Sequence, residues 1–196
     1  MKLEVKNLVK KFKGFTAVKN INFNINDGQT LGVLGPNGCG KTTTIGMLLG
    51  LIKPSNGEIL IDDENFENLN REKILSQFNF ASPYVELPKK LTVKENLEIY
   101  GRLYGVKDLT NRIHEISDDL NLGTFLNKKT GELSSGQKNR VSLAKSLINN
   151  PKILFLDEPT ASLDPDIGDF VRNYIENYKS KNKVSILLAS HNMKEV

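Results

Sequence analysis

The stretch Gly35-Pro36-Asn37-Gly38-Cys39-Gly40-Lys41-Thr42 constrains this chain more than any other. It fills every required position of G-x-x-x-x-G-K-[ST]. It also lies between a strand-like run, Thr30-Leu31-Gly32-Val33-Leu34, and a helix-like stretch from Thr42 to Leu51 that Pro54 and Gly57 close. Glycines let the backbone wrap closely, so that successive N–H groups and the helix N-terminus point at phosphate oxygens. Lys41 adds a cation for the outer phosphates, and the Thr42 hydroxyl can ligate Mg²⁺. The competing reading is an ordinary Gly-rich turn before a helix; strand, spacing, Lys and Thr together argue against it.

The remaining segments supply the sheet that such a unit needs. Leu3, Val5 and Leu8, then Ile21, Phe23 and Ile25, alternate like half-buried strands and end at the turn Asn26-Asp27-Gly28, predicting an N-terminal antiparallel β element. Glu58 to Asp62 reads as a further short strand, after which periodicity weakens until about Leu91. Thr92-Val93-Lys94-Glu95 has capping-box form, and Val93, Leu97, Tyr100 and Tyr104 follow at helical spacing. Ile113, Ile116 and Leu120, then Val141, Ala144, Leu147 and Ile148, continue the helical pattern, so about 91–150 is predicted as an α-helical insertion. Ile153 to Leu156 and Val184 to Ala189 are apolar on both faces, with a helix around Phe170 to Tyr178 between them. Strands of that kind belong to parallel sheets covered by helices, so the expected fold is α/β with a mostly parallel central sheet. We expect one domain over 1–196, with about 1–90 and 151–196 forming the core.

Three further features bear on chemistry. Asp157-Glu158 follows the buried run directly, at the strand end where α/β sheets place ligands. Two acids there are commonly just solvated or capping a helix, but beside a phosphate loop one can hold Mg²⁺ and the other can orient or deprotonate a water. Leu133-Ser134-Ser135-Gly136-Gln137 opens a helix and reads either as a plain Ser N-cap or as an anion-receptive helix start. His191, just past the last apolar strand, is either a surface histidine or a site residue.

Composition narrows the classes. The net charge of +4 comes from basic side chains scattered along the chain, not gathered beside aromatics, so no direct nucleic-acid contact is expected. The single cysteine, Cys39, rules out an intramolecular disulfide and a multi-Cys metal cluster and fits a reducing compartment. The opening Met1 to Lys6 is charged, and no apolar stretch reaches the length of a membrane span, so a soluble chain is expected.

Taken in order, these motifs resemble the ABC ATPase family over nearly the whole sequence. Gly35, Pro36, Asn37, Gly38, Cys39, Gly40, Lys41, Thr42 and Thr43 resemble its Walker A. Leu133 to Gln137 resembles its L-S-G-G-Q signature, with Ser135 where glycine is commoner. Ile153 to Glu158 is similar to Walker B with the catalytic glutamate, Ala161-Ser162-Leu163-Asp164 to the D-loop, and His191 to the switch histidine. Phe12, within Lys10-Lys11-Phe12-Lys13, lies where the family puts an aromatic ring against adenine.

The resemblance implies a P-loop NTPase with a RecA-like core and an ATP-dependent head-to-tail homodimer. Each ATP then sits between Walker A of one copy and Ser134, Ser135, Gly136 and Gln137 of the other. It implies that Glu158 polarises the attacking water, that His191 and Lys41 act on the γ-phosphate, that Thr42 and Asp157 serve Mg²⁺, and that Asp164 communicates across the dimer. The helical insertion would press on an integral-membrane subunit, placing the chain at the cytoplasmic face of a membrane. Leu91 to Gly105 resembles subunits of drug- or polysaccharide-exporting systems of the ABC-2 kind.

Two departures stand out. Where members carry a glutamine leading into the helical region, Phe80-Ala81-Ser82-Pro83-Tyr84 offers only Ser82 or Pro83; and the sequence stops at Val196, where the family continues with further helix. The alternatives are a soluble ABC ATPase acting on ribosomes or DNA, whose relatives usually carry paired ATPase domains or a long coiled coil, and a non-hydrolysing regulatory module.

Overall fold

The computed structural model describes residues 1–83, 85–161 and 163–193. In chain order the elements are β1 (Leu3–Phe12), β2 (Phe15–Ile25), β3 (Thr30–Leu34), α1 (Lys41–Leu48), β4 (Asn56–Ile61), β5 (Glu64–Asn65), α2 (Arg71–Leu75) and β6 (Phe78–Ala81). They continue with α3 (Val93–Leu103), α4 (Leu109–Asp119), α5 (Ser135–Leu147), β7 (Ile153–Asp157), α6 (Pro165–Asn182) and β8 (Ser185–Ser190).

The N-terminal alternation builds an antiparallel sheet in the order β2-β1-β4-β5. Its buried residues Leu3, Val5 and Leu8 are not evenly spaced, and the extra residue is absorbed by a register shift between Val5 and Leu8. Asn7 takes up the bulge at φ 50°, and its N–H donates to Asn22 Oδ1 at 2.8 Å. Gly57 of β4 packs against this bulge so closely that a Cβ would stand 2.3 Å from the Asn7 carbonyl oxygen.

The second sheet is parallel throughout, in the order β3-β8-β7-β6. Strand β7 is buried at all five positions, and its alternating side chains feed opposite faces. Ile153 and Phe155 join Phe78, Leu187, Met47, Leu48 and the antiparallel sheet, with Phe78 and Phe155 edge to face at 5.4 Å. Leu154 and Leu156 join Val93, Leu97, Ile116, Val141 and Leu147 of the helices on the other face. Burial on both sides is the physical reason that these strands read as unbroken apolar runs.

Three elements differ from the expectation. Helix α1 stops at Leu48 because Gly50, at φ +65°, closes it: the Leu51 N–H returns to the Gly46 carbonyl at 2.9 Å and the Gly50 N–H to Met47 at 3.0 Å. Helix α6 extends well beyond Phe170–Tyr178 in both directions, starting with Pro165 in its first turn. Strand β6 falls inside the stretch where periodicity had weakened. By contrast the capping box of α3 forms as read, with the Glu95 N–H donating to Thr92 Oγ1 at 3.1 Å and the Thr92 N–H to Glu95 Oε2 at 2.7 Å. No helix among the described residues is long and apolar enough to cross a membrane.

Candidate functional site

The carboxyl ends of the parallel strands converge on one edge. There β3 runs into the Gly-rich loop, β7 ends on Asp157 and Glu158, and β8 ends on Ser190 and His191. Backbone bonds join the three crossings: the Gly35 N–H donates to the Ser190 carbonyl at 3.2 Å and the Glu158 N–H to Ala189 at 2.8 Å. This is the position at which open α/β sheets bind ligands.

Loop geometry explains its glycines. Gly40 sits at φ +102°, and a Cβ there would lie 2.4 Å from the Ala17 carbonyl oxygen, so a side chain is excluded by both conformation and space. A Cβ on Gly35 would meet Cys39 Sγ at 2.6 Å, so the loop closes on itself around that thiol. Helix α1 then begins with no side-chain cap and no acid in its first turn, leaving its N-terminal field open to an anion. Lys41 is buried; its Nζ donates to the Gly35 carbonyl at 2.7 Å and to Pro36 at 3.3 Å, and lies 3.4 Å from Glu158 Oε1.

Asp157 and Glu158 are both buried. Burial pushes the Asp157 carboxyl above the usual carboxylate range, the Thr42 hydroxyl draws it down, the Glu158 charge raises it and Lys41 lowers it. Thr42 Oγ1 donates to Asp157 Oδ2 at 2.7 Å, so a hydroxyl and a carboxylate present hard oxygens side by side. That pair fits Mg²⁺, which binds through one or two protein oxygens and completes its shell with water and substrate phosphate.

Glu158 faces basic groups on both oxygens, although buried Oε1 accepts no hydrogen bond among the described residues. Oε1 faces Lys41, and Oε2 lies 2.6 Å from His191 Nδ1 and 3.4 Å from Ser190 Oγ. Glu158 itself adopts φ 53°, an uncommon conformation for a non-glycine residue that turns the chain away from β7 at this point.

Next to these groups opens a cleft of about 380 Å³. Its walls are Asn37, Gly38, Gly40, Lys41, Thr42 and Thr43 of the loop, Asp157 and Glu158 of the strand end, and Phe12, Phe15 and Ala17 of the β1–β2 hairpin. Phe12 thus shares a cleft with the loop, and Lys10 Nζ stands 5.0 Å from its ring centroid while donating to the Lys53 carbonyl at 2.7 Å. Phe15 and Ala17 were not singled out from sequence. The signal available for Phe15 was its place opposite Phe12 across the turn Lys13-Gly14.

Other candidate residues lie elsewhere. Ser134 caps α5, its hydroxyl accepting from the Gln137 N–H at 3.3 Å while Gln137 Oε1 accepts from the Ser134 N–H at 3.0 Å. Gly136 abuts α6, where a Cβ would come 2.8 Å from Ile167 Cδ1, and Asn139 Nδ2 donates to the Pro159 carbonyl at 2.7 Å. Ser135 lines a separate groove of about 240 Å³ with Ser82, Pro83, Ala161 and Leu163. Asp164 precedes α6, exposed and without a capping hydrogen bond. None of these lines the cleft beside the loop. Tyr84 and Ser162, named above in the glutamine-substitute and D-loop segments, lie outside the described residues, as does Val196.

A parallel sheet with a phosphate loop on one strand, two acids ending the strand two places away and a histidine ending the strand between them defines a P-loop nucleoside triphosphatase. The sequence profile of the ABC transporter family matches residues 18–161, and the chain belongs to that family. It is 35% identical over 191 residues to the ABC transporter ATP-binding protein NatA of Bacillus subtilis (strain 168), covering 95% of this chain and 76% of that one. It is 36% identical over 197 residues to the bacitracin transport ATP-binding protein BcrA of Bacillus licheniformis, covering 99% and 63%. A spermidine/putrescine import ATP-binding protein, PotA of Nitrosospira multiformis, is 32% identical over 191 residues, covering 96% and 52%. The chain therefore spans between about half and three-quarters of the length of these curated relatives. A dimeric ATP-binding cassette solved in a post-hydrolysis state with ADP and Pi superposes with a TM-score of 0.89 at 28% identity, covering 98% of this chain and 89% of that one. The chain is an ATP-binding and ATP-hydrolysing protein of the ABC transporter type, with the P-loop fold and the two sheets expected from its sequence.

Proposed function

We propose that the chain is the motor subunit of a membrane transporter and hydrolyses Mg·ATP in a head-to-tail pair of copies. The observation that carries this reading is the Glu158 carboxylate held between Lys41 and His191 at the mouth of the phosphate loop. In the proposed step Glu158 accepts a proton from a water whose oxygen attacks the γ-phosphorus. The bond from that phosphorus to the β–γ bridging oxygen breaks, and its electron pair leaves with ADP. Lys41 and the N–H groups at the start of α1 take up charge on the phosphates, and His191 orients Glu158 and reaches the γ-phosphate. Thr42 and Asp157 would hold Mg²⁺, which when bound would supply positive charge against the phosphates. Phe12 takes the base.

The pairing is supported by what this chain keeps away from its own cleft. Ser134, Ser135, Gly136 and Gln137 open α5 outside it, with Ser134 and Ser135 exposed where a second copy's nucleotide would meet the helix start. The dimeric state of the solved cassette points the same way. The helices of about 91–150 face an integral-membrane subunit in this scheme, which places the protein at the cytoplasmic side. The core is formed by about 1–90 and 151–196.

Steady-state ATPase activity with Mg²⁺, measured against protein concentration for the wild type and Glu158→Gln, tests both parts, with ATP-dependent association followed by light scattering. Specific activity should rise with concentration, and Glu158→Gln should lose at least about 100-fold in kcat while associating on ATP. Activity independent of concentration in a species that stays monomeric would overturn the pairing. Undiminished turnover in Glu158→Gln would overturn the base assignment.

A further inference from the structure

We propose that Phe15 is a specificity-determining residue of the cleft: with Phe12 it forms a two-ring platform that selects purine over pyrimidine nucleotides without telling adenine from guanine. The inference rests on the reading that the cleft holds a nucleoside triphosphate. Phe12 and Phe15 are directly paired across β1 and β2 and close the hairpin, with Lys13-Gly14 as its turn. Residues opposite one another on antiparallel strands put their side chains on the same face, with Cα atoms about 4.5–5.5 Å apart. Both rings line the cleft.

Their exposure is unusual among the phenylalanines of this chain. Phe12 is 48% and Phe15 59% accessible, two of nine phenylalanines, whereas Phe78, Phe125 and Phe155 are fully buried. Exposed aromatic residues paired across a hairpin and lining the cleft beside a phosphate loop have a use if a flat ligand covers them. Lys10 holds its ammonium over the Phe12 ring but is not part of the cleft wall, so the cation does not occupy the cleft itself.

The discrimination follows from size and from chemistry. A pyrimidine covers about one phenyl ring, while a fused purine extends from one ring onto its neighbour and gains the second stack. Separating adenine from guanine requires hydrogen-bonding groups aimed at the base edge, since sites built on apolar contact reject poorly. The polar side chains of the cleft wall, Asn37, Lys41, Thr42, Thr43, Asp157 and Glu158, belong to the loop and the strand end; the hairpin contributes Phe12, Phe15 and Ala17.

Titration calorimetry of ATP, GTP, CTP and inorganic tripolyphosphate against the wild type, Phe15→Ala and Phe15→Leu tests this. Wild type should bind ATP and GTP within about threefold of each other and CTP at least about fivefold more weakly. Phe15→Ala should weaken both purine nucleotides by about fivefold and leave CTP within about twofold, so that the purine preference collapses. Phe15→Leu, which keeps an apolar side chain on the hairpin, should do the same. Unchanged tripolyphosphate affinity in both variants shows the phosphate loop intact. An unaltered purine-to-pyrimidine ratio, or an equal loss for ATP and CTP, overturns the role of Phe15. A wild type that binds neither ATP nor tripolyphosphate overturns the nucleotide-cleft reading itself.

Discussion

Buried charge is handled in opposite ways at the two ends of this molecule. At the carboxyl edge of the parallel sheet Lys41, Asp157 and Glu158 are buried together, with opposite signs facing one another and His191 completing the set. On the helical side the buried cations meet mainly neutral oxygens. Lys145 Nζ donates to the Phe80 carbonyl at 2.8 Å and lies 3.4 Å from Asn79 Oδ1. Arg112 donates to the Leu147 carbonyl at 2.6 Å and to the Tyr178 hydroxyl at 3.2 Å, with half-exposed Glu115 as its only carboxylate partner among the described residues. Opposite charges at the first end can exchange partners with a charged ligand at little electrostatic cost. The carbonyl-bound cations can exchange with nothing, so they act as fixed ties between helices and strand.

If that contrast holds, substitutions at the two ends should separate turnover from stability. The largest effect is on rate: Glu158→Gln, already expected to lose at least about 100-fold in kcat, should change the unfolding free energy by less than about 1 kcal/mol. The lost attraction to Lys41 is countered in part by relief of Asp157, whose carboxyl Glu158 pushes up, and the amide oxygen of the variant still faces Lys41. A large drop in denaturant midpoint for this variant would break the comparison. Arg112→Met should do the reverse, lowering stability by about 3 kcal/mol in urea titrations because the end of α5 and the Tyr178 hydroxyl lose their partner.

Lys145→Met sharpens it through pH. Burial lowers the Lys145 pKa from 10.5 to about 8, so the unfolded chain holds this proton more tightly than the folded one. Stability from this group is fully present above the unfolded value and is lost as pH falls through about 8. Wild type should therefore gain on the order of 2 kcal/mol relative to Lys145→Met between pH 8 and 10.5, measured as the difference in urea unfolding. A pH-independent difference would place the ammonium in a better-solvated environment than the contacts indicate. The smallest effect is at the α5 cap, where Ser134→Ala should cost about 1 kcal/mol in thermal unfolding through loss of the Gln137 N–H bond to the Ser134 hydroxyl.

The same contrast accounts for what the sequence made legible. The phosphate loop and the acids after β7 are contiguous, and each is framed by an apolar strand, so their spacing alone locates them at one sheet edge. Strand β6 escaped because it is four residues long with a polar Asn79 in the middle. That asparagine is buried, donating to Asn149 Oδ1 at 2.8 Å and to the Lys145 carbonyl at 3.3 Å, partners about seventy positions away that no local pattern reveals. Phe15 escaped for a related reason: an exposed phenylalanine carries no meaning until the hairpin sets it beside Phe12 and the loop below it. The apolar pattern around Phe170 to Tyr178 marks only the middle of helix α6, because its start, Asp164 followed by a first-turn Pro165, carries no apolar periodicity.

Helix α5 is fastened at both of its ends, to Pro159 and Ile167 near its start and to Phe80 and Arg112 near its finish. Thirteen residues at 1.5 Å each make it a strut about 20 Å long. A strut pinned this way does not dissipate displacement along its length. Its contacts thus link the helix start at Ser134 through Asn139 to Pro159, the residue after Glu158, and through Lys145 to Phe80, two residues before Ser82.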